Sequence, residues 1–80
     1  MPFTILSQSP SVIEVEHFEL DDDGNVISHE MIVKDAVEVL FEYTRKDGGK
    51  EIQKYRFDND MIVDGDVTPN VASVVEQITQ

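Results

Sequence analysis

His17 and His29 are the only imidazoles in this chain, and each stands in a stretch where apolar and polar residues alternate. If those stretches pair as a hairpin, the two rings meet on one face with Glu19 one step along. Two nitrogens and a carboxylate suit a transition metal. The spacing sets no third protein ligand, and the same residues also read as side chains at the rim of a core, beside Phe41. Asp58, Asp60, Asp64 and Asp66 bracket Met61 to Val63 and could gather a hard cation or a basic partner, although two polar turns account for the same pattern. Cysteine is absent, which excludes disulfides, thiolate metal sites and a thiol nucleophile. There is no nucleophile and base pairing, no phosphate-cradling glycine loop and no cofactor motif, so the chain reads as non-enzymatic and without a cofactor.

The segment Glu19-x-Asp21-x-Asp23-Gly24-Asn25-Val26-x-x-x-Glu30 resembles an EF-hand calcium loop, with Gly at the sixth position, an aliphatic residue at the eighth and Glu at the twelfth. The resemblance implies weak calcium ligation by Asp21, Asp23 and Glu30. It departs from the pattern at Glu19, where Asp is usual, and at Ile27, where a polar residue is usual. The flanks alternate like strands, and in that reading Asp22-Asp23-Gly24 is a hairpin loop with an acidic surface.

Positioning any of these residues requires a sheet. Eighteen of the 80 residues are Val or Ile, whose branching at Cβ suits pleated backbone. The expected class is α+β: a four-stranded antiparallel β-meander near 12-20, 26-34, 36-44 and 50-57, with one C-terminal helix at 69-79 packed on one face. Residues 1-80 read as one domain, with no repeat or linker. Ser7-Gln8-Ser9-Pro10 reads as a break after Phe3 to Leu6, and whether residues 3-6 add a fifth strand is left open. Gly24 at the positive-φ position of a three-residue loop sets Ile13 opposite Val33, Val15 opposite Met31 and His17 opposite His29. A one-residue slip would set Glu14 and Glu16 against Val33 and Met31, which the patterning disfavours. Val33 then faces Val37 across Lys34-Asp35-Ala36, a join that a bulge or one longer strand could replace. Thr68 is the expected N-cap and Pro69 the first helical residue, with Val71, Val74, Val75 and Ile78 on one helical face. That face should roof the odd-numbered side of the sheet.

Charge supplies the functional expectation. The formal net charge is -11; residues 1-33 hold seven acids and residues 57-80 five, with no Lys or Arg in either segment. Such a surface repels phosphate, so direct nucleic-acid binding is not expected, while attraction to a basic partner is. The even-numbered sheet face would carry Glu14, Glu16, Glu30, Glu38 and Glu42 around Phe18, Leu20, Ile32 and Leu40. Apolar groups rimmed by acids make a docking patch for another protein with a basic surface, in the manner of a small inhibitor or phosphate mimic, or for a homo-oligomer. The N-terminus lacks a basic region and a long apolar run, so no signal peptide or membrane span is expected and the cytoplasm is the default location.

Overall fold

A computed structural model describes residues 2-80. Three antiparallel strands in the order β1-β2-β3 form one sheet: β1 (Phe3–Leu20), β2 (Val26–Thr44) and β3 (Lys50–Asp58). A single 3-10 turn (Asn59–Met61) leads through Asp64-Gly65 to helix α1 (Thr68–Ile78). The α+β class and the C-terminal helix are as expected, but there are three strands instead of four.

The difference lies in two places where a turn was expected and the chain runs straight on. A three-residue loop Lys34-Asp35-Ala36 would set Ala36 at the positive-φ position, which its Cβ disfavours, and Ala36 is buried instead, so the expected strands 26-34 and 36-44 are one 19-residue strand. Val33 therefore precedes Val37 along one face and does not oppose it. Ser7-Gln8-Ser9-Pro10 likewise interrupts nothing, and residues 3-6 begin β1 instead of forming a fifth strand. β1 lies at the sheet edge, where a proline without an N–H is tolerated.

The core sits on the odd-numbered side of the three-stranded part. Phe3, Val39, Phe41 and Tyr43 from the sheet meet Val67, Val71 and Val75, with Ile5, Val37, Tyr55, Phe57, Ile62 and Val74 packed around them. β3 supports this face through the pairs Val37 with Phe57 and Val39 with Tyr55. The helix starts one residue earlier than expected. Val67 occupies the cap position, and the Asp66 carboxylate accepts the Thr68 N–H at 2.9 Å, so Asp66 does the work assigned to the Thr68 side chain. Asp64 (φ 56°) and Gly65 (φ 71°) make the tight turn that brings Asp66 there. Ile78, expected in the roof, is 38% exposed, and Val67 takes its place in the core.

Both hairpin turns form as expected, but the register of the first does not. Asp21 and Asn25 close the loop, with Gly24 at φ 84° and its N–H on the Asp21 carbonyl at 3.0 Å. Leu20 then pairs with Val26, but Glu19 pairs with Ser28, so Ile27 is an extra residue and slips the ladder by one. Beyond it Glu14 faces Val33, Glu16 faces Met31 and Phe18 faces His29, the arrangement that patterning disfavoured, while Ile13 faces Lys34, Val15 faces Ile32 and His17 faces Glu30. A second bulge at Leu6 restores the phase, so Ile5 faces Phe41 and Phe3 faces Tyr43. Between the bulges the odd-numbered residues of β1 lie with the even-numbered residues of β2.

Burial reports this register directly. Phe41→Ala removes a fully buried ring and costs about 3–5 kcal/mol, comparable with the whole stability of so small a core. Val33→Ser changes a side chain that is 62% exposed and stays within about 0.5 kcal/mol. Urea unfolding followed by circular dichroism separates the two registers, because a large loss at Val33 would place it under the helix.

Candidate partner-binding arm

β3 accompanies β2 only from Ala36 to Thr44. Beyond Lys34 the first hairpin continues as a two-stranded ribbon, and the molecule measures 51 × 27 × 19 Å. The cause is a mismatch of lengths: eleven helical residues span about 16 Å, whereas strands of 18 and 19 residues run several times further. One short helix cannot roof them.

The base of the ribbon is tied to the body by charge. Lys34 Nζ lies 2.8 Å from Asp58 Oδ2 and 2.6 Å from Asp60 Oδ2, at the point where β3 stops. Hydrogen bonds to these carboxylates raise the Lys34 pKa, and the Lys34 ammonium holds the Asp58 carboxyl below its ordinary value. Asp58 Oδ1 also accepts the Asp60 N–H at 2.9 Å, which fixes the 3-10 turn against the same lysine.

From Glu14 to Val33 the ribbon contains seven acids and no Lys or Arg. Its two faces differ. One carries Glu14, Glu16, Phe18 and Leu20 beside His29, Met31 and Val33, and continues the β2 face that the helix covers further down. Met31 is 52% exposed and Leu20 59%. The other carries Val15, His17 and Glu19 beside Ser28, Glu30 and Ile32.

The nine residues expected to form one docking face are thus divided. Glu14, Glu16, Phe18 and Leu20 lie on one side of the arm, and Glu30 and Ile32 on the other. Glu38, Leu40 and Glu42 continue the latter side onto the body, beneath the helix-free face of the sheet. There Arg56 Nε approaches Glu38 at 3.4 Å and Lys50 Nζ approaches Glu42 at 3.7 Å, so this part is not the bare acidic surface expected. Met31 and Val33, which the periodicity assigned to the core, belong to the exposed arm. The signal that would have found them is the shortness of the helical pattern relative to the strand pattern.

The expected imidazole pair does not form, because the slip at Ile27 sends the two rings to opposite faces. His29 stacks on Phe18 with centroids 4.8 Å apart and planes 10° from parallel, and its Nε2 lies 3.7 Å from Glu16 Oε1. At the tip, Asp21 Oδ1 accepts the N–H groups of Asp23 at 2.9 Å and Asn25 at 2.8 Å. That carboxylate serves the turn. Among the described residues no group of three or more His, Cys, Asp or Glu side chains is placed to hold a metal, so Asp21, Asp23, Glu30, His17 and His29 are not assembled into a site.

Four carboxyls are held below their ordinary value: Asp21 by the Asn25 N–H, Asp47 by the Gly49 N–H, Asp58 by Lys34 and Asp66 by the Thr68 N–H. A depressed folded-state value contributes stability that is complete above the unfolded value and lost as pH falls through the folded one. Relief of repulsion among 17 acids acts in the opposite direction as neutral pH is left behind. The thermal midpoint should therefore hold or rise on mild acidification and drop once pH passes below the reference value of 3.8. Carboxyl NMR titration checks the cause, since these four must titrate below 3.8.

Compared with family models, curated proteins and solved structures, the chain gives no match, so its function is argued from the geometry above.

Proposed function

We propose that this chain is a non-catalytic protein-binding module whose acidic β-arm seats on a cationic protein surface. The observation that carries this reading is the ribbon from Glu14 to Val33. An isolated two-stranded ribbon is marginal in water. This one exposes apolar side chains on both faces and carries acids without a single Lys or Arg among them. Apolar contact would supply affinity, while the uniform sign of the charge would select the partner and speed encounter.

The rest of the molecule supports a scaffold role. Among the described residues the one buried titratable side chain is Tyr43, whose hydroxyl donates to Glu51 at 2.7 Å, and no carboxylate, imidazole, lysine or arginine is buried in the desolvated setting that tunes a catalytic acid or base. A groove at the C-terminal end of the helix is lined by Phe3, Thr44, Val75 and Thr79 among others, with Glu76 its one carboxylate. Among the described residues no helix is long and apolar enough to cross a membrane.

An arm-shortened chain provides the control. Replacing residues 14 to 33 by an Asn-Gly turn joins the paired residues Ile13 and Lys34 and leaves every core residue in place. Both chains are immobilised and exposed to cell lysate at about 0.05 M and about 0.5 M salt. The full-length arm should retain a cationic protein at low salt and release it at high salt, and the shortened chain should retain none. In lysate supplemented with soluble arm-shortened chain, whose body is intact, equal retention by the two immobilised chains, or retention indifferent to salt, would defeat the reading.

A further inference from the structure

The acidic arm has a complement within its own sequence. Five of the six basic residues, Arg45, Lys46, Lys50, Lys54 and Arg56, lie in the β2–β3 hairpin. The tip of the arm and this hairpin turn stand at opposite ends of β2, a continuous 19-residue strand. The two cannot meet within one molecule. Among the described residues Lys46 and Lys54 take part in no ion pair, whereas Lys34, Arg45, Lys50 and Arg56 are engaged.

The sheet face beside Lys54 is also uncovered. Leu40 pairs with Lys54 and Glu42 with Ile52 on the side away from the helix, and Ile52 is 55% exposed. On this face Arg56 and Lys50 offset Glu38 and Glu42, which leaves Lys54, with Lys46 at the turn, as uncompensated positive charge beside Leu40 and Ile52, a match for the apolar side chains flanked by acids on the arm. Arm-to-arm pairing of two copies would instead set seven acids against seven.

From this complementarity, and resting on the binding reading above, we infer that the arm's partner is a second copy of this chain, the ribbon of one lying on the lysine-bearing outer sheet face of the next. Every copy supplies both halves of the contact. Because the two halves are different surfaces, the contact closes only if it is reciprocal or forms a ring, and otherwise runs on as a chain of copies. The limiting mass distinguishes these.

Charge exchange tests the inference. E14K/E16K alters the arm, and K46E/K54E alters the body without touching an observed intrachain ion pair. Light scattering on the unaltered chain at about 0.05 M salt should give a mass that rises with concentration above 9.1 kDa, with association roughly tenfold weaker at about 0.5 M. Each double variant alone should remain at the single-chain mass. An equimolar mixture should associate again, since the two exchanged surfaces are still opposite in charge, and restoration also shows that both variants fold. A single-chain mass for the unaltered protein at millimolar concentration and low salt overturns the inference, as does association of either variant equal to that of the unaltered chain. If the unaltered protein stays single while its full-length arm still captures a cationic protein that the shortened chain does not, the second copy is wrong and the binding reading stands. If neither occurs, both fall.

Discussion

The architecture depends on how much sheet one short amphipathic helix can cover. α1 presents Val71 and Val75, with Val67 just before it, to Val39, Phe41 and Tyr43, and among the described residues those contacts enclose the largest fully buried side chains, Phe41, Val39, Val67 and Val71. A Val-rich helix of this length has little stability of its own, so the helix and the three-stranded body form together or not at all. The reach of the roof decides where the body stops. Beyond it the same two strands persist as a ribbon whose side chains remain in solvent.

That limit also explains the register. Pairing is strongly specified where one face is buried, because a slip by one residue would turn the buried set outward. Under the helix this holds, and the bulge at Leu6 brings Phe3 and Ile5 into phase with Phe41 and Tyr43. In the arm neither face is roofed, and the slip at Ile27 exchanges one half-exposed set for another. Two bulges thus bracket a stretch whose phase is opposite to that of the core. Twist at bulges and the acids along the edge strand both hinder indiscriminate edge-to-edge aggregation, a hazard for a long apolar ribbon.

Electrostatics follows the same division. In the body, the carboxylates of Glu38 and Glu42 have cationic neighbours on β3, and Lys34 binds Asp58 and Asp60 at the boundary. Past that boundary no Lys or Arg stands among the acids of the arm. The part of the molecule with least internal stabilisation is therefore also the part with the most unbalanced charge. Such a segment gains most from an external cationic surface, which neutralises it and covers its apolar side chains at once.

Local chemistry alone determined a good deal of this protein. The Asp-Gly and Gly-Gly turns, the β character of the Val- and Ile-rich stretches, the start of a helix near Thr68-Pro69 and the uneven charge are all legible in residue types and spacing, because each depends on a few neighbouring residues. The apolar odd-numbered pattern from Val37 to Phe57 was legible too, since there it coincides with a buried face. Tertiary structure decided the rest. That Val26–Thr44 is one strand, that Ile27 and Leu6 are bulged, that His17 and His29 part company and that Met31 and Val33 face water cannot be read from alternation, which is identical for a strand under a helix and a strand in an arm. Alternation specifies two faces of a strand; only the packed helix, through its finite length, settles which stretch of which face is inside.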